Sequence, residues 1–279
     1  MSSELIARFR AEGRHPKKAL GQNFLRDVRL SRAIAELAAP AAGGTVLEIG
    51  PGLGALTGPL LERGARVVAL ERDAELVRLL SESFAAEIAS FALTLREADA
   101  TEVDWAEALA GAPAPLALAG NLPYSVTGLL LRRATAAAGA VERAVFMVQR
   151  EVADRMAAAP GSKTYGALSV FVQAAFAVER AFVARPGAFW PAPAIDSAVV
   201  RLTPHRPPRA VETPAFSLAV SRAFGQRRKT LRNAWRGLYG WADADLAAAC
   251  RAAGIDLEAR GETLAVEAFD ALARQAPLV

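Results

Sequence analysis

One cysteine, Cys250, leaves no intramolecular disulfide to form in this chain of 279 residues. The two histidines, His15 and His205, lie about 190 residues apart and have no second soft ligand nearby, so no metal site is expected. No run of 18 apolar residues exists to span a bilayer, and no internal repeat points to a solenoid. The opening MSSELIARFRAEGRHPKKALG lacks the apolar centre of a secretory signal, which predicts a cytoplasmic protein without a membrane partner. What is present is 53% hydrophobic and 22% charged, a balance that excludes disorder and supports one large domain or two modest ones.

Basic residues outnumber acidic ones at both ends. Residues 1 to 32 carry eight Lys/Arg against three acids, a net +5, whereas 33 to 121 carry five against thirteen, a net −8. Residues 206 to 279 return to +3. Basic ends around an acidic middle suggest a polyanion touched by the ends and a small polar ligand in the middle.

Short apolar runs at 45–50, 66–71, 93–98, 115–121 and 143–149 alternate with helix-like stretches at 54–63, 73–88, 102–110, 126–138 and 150–158. That rhythm predicts βαβ units, hence an α/β, doubly wound, mostly parallel sheet covered on both faces. Residues 170–184 and 197–205 read as added antiparallel strands. Pro204, Pro207, Pro208 and Pro214 then mark a linker, and beyond it helical patterns run over 214–224, 226–239, 243–253 and 263–274. The division expected is a basic N-terminal arm over 1–32, an α/β domain over 33–205 and a smaller all-helical domain over 206–279.

Glu48-Ile49-Gly50-Pro51-Gly52-Leu53-Gly54 follows the first strand and opens a helix, where glycines permit a sharp turn and close approach of a ligand to the main chain. Glu71 ends the next strand about 20 residues later, placed to accept the hydroxyl protons of a ribose. NAD and S-adenosylmethionine (SAM) satisfy this pair equally. Asp99 adds an acid after the third strand, suited to an exocyclic amine or to a helix cap.

Asn121-Leu122-Pro123-Tyr124 closes the fourth strand and has no use in hydride transfer. An adenine N6 lone pair is delocalised and attacks poorly. Two acceptors, the Asn121 side-chain oxygen and the Leu122 carbonyl, can hold the amino protons out of plane. Pro123 fixes the backbone, and Tyr124 offers a face for an extruded base.

KKALGQNFL (17–25), VLEIGPGLGALT (46–57), LERD (70–73), EADA (97–100), GNLPY (120–124), VQREVADRM (148–156), YGALSV (165–170), FWPAPAIDSAVVRL (189–202) and FGQRRKTLRN (224–233) occur in one order along the chain. In these segments it resembles the ribosomal RNA adenine N6,N6-dimethyltransferases of the KsgA/RsmA type. The resemblance implies a Rossmann-like domain with SAM as cofactor, contacted by Gln22, Asn23, Leu25, Gly50, Gly52, Glu71, Asp99, Ala100 and Asn121. It implies that Asn121, Leu122 and Tyr124 hold the target amine, with Pro123 between them, and that Phe189 covers the base from the other side. The implied partner is 16S rRNA within the small ribosomal subunit or its precursor. A monomer would modify two adjacent adenosines in a hairpin loop near the 3′ end and share in subunit biogenesis. Departures at Ala167 and at Ser125-Val126-Thr127-Gly128 touch RNA contacts or packing.

Residues 222–236 carry six basic groups and no acid. On a helix starting near Gln226, Arg228, Lys229, Arg232 and Arg236 would share one face, beside Arg227, as a stripe for a phosphate backbone.

Overall fold

Leu5, Ile6 and Phe9 recur at helical spacing, and the first residues fold as α1 (Ser2–Ala11) with all three buried. The computed structural model describes residues 2–17, 20–40, 43–226 and 228–277. A two-residue strand, β1 (Phe24–Leu25), precedes α2 (Val28–Ala38), which is capped by Asp27 accepting from the Arg29 and Leu30 N–H groups. Phe9 meets the Phe24 ring edge-on at 5.7 Å, and Trp190 stacks on Phe24 at 6.1 Å. Burying each such side chain contributes about 1.5–3 kcal/mol, enough to fold this basic segment into the core instead of leaving it as a separate arm.

The five apolar runs become β2 (Thr45–Ile49), β3 (Arg66–Glu71), β4 (Leu93–Glu97), β5 (Leu116–Asn121) and β6 (Arg143–Gln149), paired in parallel. With β7 (Phe176–Ala184) and β9 (Ser197–Pro204) they form one sheet ordered β4-β3-β2-β5-β6-β9-β7, in which β9 runs antiparallel to β6. A separate ribbon pairs β1 with β8 (Phe189–Trp190). β2 is buried at every position, as both covered faces require. Helices α3 (Thr57–Glu62), α4 (Ala74–Ser83), α5 (Ala85–Ala89), α6 (Trp105–Ala108) and α7 (Thr127–Ala136) occupy the connections.

Three elements differ from the sequence reading. The helix expected over 73–88 breaks at Phe84, whose ring turns inward and is fully buried. The strand expected over 170–184 begins as a helix, α9 (Ala167–Ala175), after α8 (Arg150–Met156). A short apolar run fits either form, and here the Ser169 hydroxyl accepts from the Gly166 N–H to start a helical turn. The helix expected over 226–239 is interrupted: α10 (Pro214–Gly225) ends, and only α11 (Leu231–Ala234) follows before a turn at Gly237, where φ is +67°. The Leu231 and Arg232 N–H groups donate to the carbonyls of Ala259 and Leu257, so the loop at 257–259 satisfies them in place of a preceding helical turn.

Contacts divide the chain into two compact units, Met1–Ala153 with Glu179–Pro204, and Asp154–Val178 with His205–Val279. This differs from a boundary near 206. Tyr165, Val170 and Phe171 share a buried cluster with Phe216, Trp235 and Phe269, so α9 joins the helical unit that also holds α12 (Asp243–Ala252) and α13 (Val266–Ala273). Among the described residues no helix is long and apolar enough to cross a membrane.

Candidate active site

β2 and β5 lie side by side while their connections leave in opposite directions, to β3 on one hand and β6 on the other. Such a switch point opens a crevice beyond the carboxyl ends of the strands. A cavity lies there, lined by the glycine loop after β2, the acids after β3 and β4, the residues after β5 and the chain at 20–25.

The loop turns through Gly50, Gly52 and Gly54, all at positive φ. A Cβ on Gly52 would stand 3.2 Å from the Phe24 ring, and one on Gly54 would stand 2.8 Å from Phe84. Both glycines are favoured by their positive φ, and at Gly54 a Cβ would also force the buried Phe84 ring to shift. Beside Gly50 a Cβ would meet no protein atom within 4 Å, consistent with a position facing open space.

Glu71 is tied to this loop. One carboxylate oxygen accepts from the Gly52 N–H at 3.1 Å and the other from the Asp73 N–H at 3.0 Å. Burial pushes its pKa up, and the backbone donors work against that. A carboxylate has about four acceptor sites, so two remain for ribose hydroxyls. Asp99 receives the Thr101 N–H at 2.9 Å and hydroxyl at 2.7 Å on one oxygen, and Arg72 at 3.3 Å on the other. Burial alone would raise its pKa; the Thr101 bonds and Arg72 outweigh burial and hold it low. The cap of α6 is Asp104, so Asp99 closes a turn and still lines the cavity. The Ala100 carbonyl, beside it, is fixed by the indole N–H of Trp105 at 2.9 Å.

After β5, the Asn121 Nδ2 donates to the Asn23 carbonyl at 2.9 Å. A carbonyl can only accept, so this bond decides which end of the amide is which and leaves Oδ1 as the acceptor. The Leu122 N–H donates to the Met147 carbonyl at 3.0 Å, and the Pro123 carbonyl accepts from the Thr127 hydroxyl at 2.8 Å. The backbone of the tetrapeptide is thereby anchored to β6 and α7. Tyr124 is hydrogen-bonded through its hydroxyl to Ser197 Oγ at 2.7 Å, and burial raises its pKa.

Gln22, Asn23, Leu25, Gly50, Gly52, Glu71, Asp99, Ala100, Asn121, Leu122, Pro123 and Tyr124 all line the one cavity. Phe189 does not: it is 2% exposed, because pairing of β8 with β1 sets it opposite Leu25 in the core. In this conformation it offers no face to a base. Arg227 lies outside the described residues. Arg228 and Lys229 are exposed on the turn before α11, while Arg232 pairs with Glu258 at 2.7 Å, so no single helical stripe forms.

Four groups near the site carry no assignment from sequence. Glu48 is 1% exposed, bonded to the Thr57 hydroxyl at 2.7 Å, and burial with the nearby Glu71 charge lifts its pKa to about 7. Asp73 and Lys17 form an ion pair at 2.9 Å. Ser197 sits 73 positions from Tyr124, beyond any sequence signal. For Asp73 a signal existed, the acid of LERD two residues past the strand end and directly before a helix.

Fold and site together define a Rossmann-like methyltransferase. The family model for ribosomal RNA adenine dimethylase matches residues 13–273, and the chain belongs to that family. It is 48% identical over 269 residues to a ribosomal RNA small subunit methyltransferase A of Anaeromyxobacter sp. (strain K), covering 92% of each chain. It is 42% identical over 273 residues to the protein of that name from Geobacter sulfurreducens, covering 95% of this chain and 96% of the other. Among solved structures, a dimethyladenosine transferase from Plasmodium falciparum superposes with a TM-score of 0.71 at 22% identity, over 89% of this chain and 95% of that one. The 23S rRNA methyltransferase ErmE gives 0.64 at 26% identity, over 91% and 99%.

Proposed function

We propose that this chain uses SAM to dimethylate N6 of two adjacent adenosines in a hairpin loop near the 3′ end of 16S rRNA, in the small subunit or its precursor. It acts as a cytoplasmic monomer with a part in subunit biogenesis. Bound SAM supplies an electrophilic methyl group on a sulfonium. Glu71 holds the ribose end, Asp99 and the Ala100 backbone face the adenine end, and the glycine loop admits the main chain close to the ligand. Asn121 Oδ1 and the Leu122 carbonyl receive the two amino protons of the target, which favours a pyramidal nitrogen with its lone pair aimed at the methyl. Tyr124, braced by Ser197, stacks on the extruded base. Transfer would leave S-adenosylhomocysteine and a cationic, acidic amine whose proton would pass to solvent, so no strong base would be needed.

The observation that carries this reading is the bond from Asn121 Nδ2 to the Asn23 carbonyl, which fixes the orientation of the amide and identifies Oδ1 as its acceptor. The test is incubation with SAM and small subunits from a strain lacking this modification, followed by nucleoside mass spectrometry. Dimethyladenosine in small-subunit RNA supports the proposal. The likeness to ErmE favours a second substrate, 23S rRNA, and modification confined to large-subunit RNA would select it instead.

A further inference from the structure

The segment at residues 20–25 lines the cavity with only a two-residue strand of regular structure, so its position depends on side chains outside it. Asp73 supplies one of these contacts, through Gln22. Its side chain is 4% exposed. Oδ1 accepts from Lys17 Nζ at 2.9 Å and from the Glu75 N–H at 3.1 Å, and Oδ2 accepts from Gln22 Nε2 at 2.8 Å. Gln22 is itself oriented, because its Oε1 receives the Lys17 N–H at 2.8 Å. Next in the chain, the Asn23 carbonyl holds the Asn121 amide, while the Asp73 N–H serves Glu71. One residue thus touches both ends of the site. We propose that Asp73 and Lys17 are positioning residues for methyl transfer, fixing residues 20–25 so that the Asn23 carbonyl orients Asn121 while Glu71 stays set for the ribose.

Burial would raise the Asp73 pKa, but Lys17 and Gln22 outweigh it and hold the carboxyl below its usual range, so the pair is ionic at neutral pH. Lys17 also lies 2.9 Å from Glu75, whose side chain is 52% exposed and screened by solvent. The buried partner governs the geometry. The inference rests on the reading of Asn121 as the amine acceptor.

Asp73→Asn separates this role from capping of α4, since asparagine caps a helix as well as aspartate does. It also converts the acceptor facing Gln22 into a donor, and Gln22 cannot rotate to compensate without losing the Lys17 N–H. Hydrogen exchange of the cofactor-free protein should show residues 20–25 exchanging about tenfold faster with α4 unchanged, and kcat on small subunits should fall about tenfold at unchanged RNA affinity. Lys17→Met should act in the same direction, Lys17→Arg should restore both readouts, and the double variant should be less than additive. Unchanged exchange at 20–25, or equal acceleration through α4, overturns the proposal. If Asn121→Ala methylates normally, the amine-acceptor reading fails, and the exchange measurement still decides whether Asp73 holds residues 20–25.

Discussion

Residues 1–32 and 206–279 both carry excess positive charge, and from sequence the same polyanion reading fits both. In the folded chain several charges of the first segment are paired within its own unit: Arg8 with Glu12 and Glu82, Arg14 with Glu12, and Lys17 with Asp73 and Glu75. Glu75 and Glu82 of α4 and its cap Asp73, from the acidic middle of the sequence, supply part of the counter-charge. In the second segment Arg232 and Arg209 are paired with Glu258 and Glu267, whereas Arg228 and Lys229 are exposed on a turn and make no ion pair among the described residues. Charge count alone does not distinguish a segment that shapes a cofactor cavity from one that can meet phosphate; the placement of neighbouring acids does.

That contrast can be broken in several ways. Glu71→Ala should remove two charge-assisted hydrogen bonds and weaken SAM binding by about 2–4 kcal/mol in a calorimetric titration, with small-subunit affinity unchanged. Equal losses in both would merge the two roles. Asn121→Ala should lower the methylation rate by about 100-fold or more while RNA still binds, because phosphate contacts supply most of the affinity. Near-normal turnover would remove Asn121 from the chemistry.

A smaller effect separates the two units by pH. Burial lifts Glu48 to about 7, so folding favours its protonated form. Its contribution is full below the unfolded value near 4.5 and is lost as pH rises through about 7. The shifted buried groups of the second unit titrate far higher, Tyr165 and Tyr239 at about 12 and Cys250 at about 11. Denaturant midpoints at pH 5 and pH 8 should therefore fall more for the wild type than for Glu48→Gln. Identical pH dependence of the two would contradict the burial argument.

The parallel strands were legible because burial on both faces leaves continuous apolar runs, and Asn121 to Tyr124 were legible because four adjacent residues carry distinct chemistry. The glycine loop with Glu71 did not separate SAM from NAD; the residues after β5 did. What was hidden depends on partners distant in sequence. Ser197 braces Tyr124 from β9, and the loop at 257–259 both ends the expected helix over 226–239 and draws Arg232 to Glu258. Nothing local reveals that β8 pairs with β1 and sets the Phe189 ring inward, opposite Leu25. At 170–175 an apolar run fitted strand and helix alike, and the cap at Gly166 decided it.

The central claim, that the two basic segments serve different ligands, is tested most directly by a crossed measurement on two variants. Arg228→Glu with Lys229→Glu and Lys17→Met would each be assayed for SAM affinity and for the salt dependence of small-subunit binding. The account predicts that the first flattens the log–log salt slope by about 0.7–0.9 per lost phosphate contact and leaves SAM affinity alone. It predicts that the second weakens SAM binding and leaves the slope unchanged. A flattened slope for Lys17→Met with unaltered SAM affinity, or an unchanged slope for the charge reversal at 228 and 229, would contradict it.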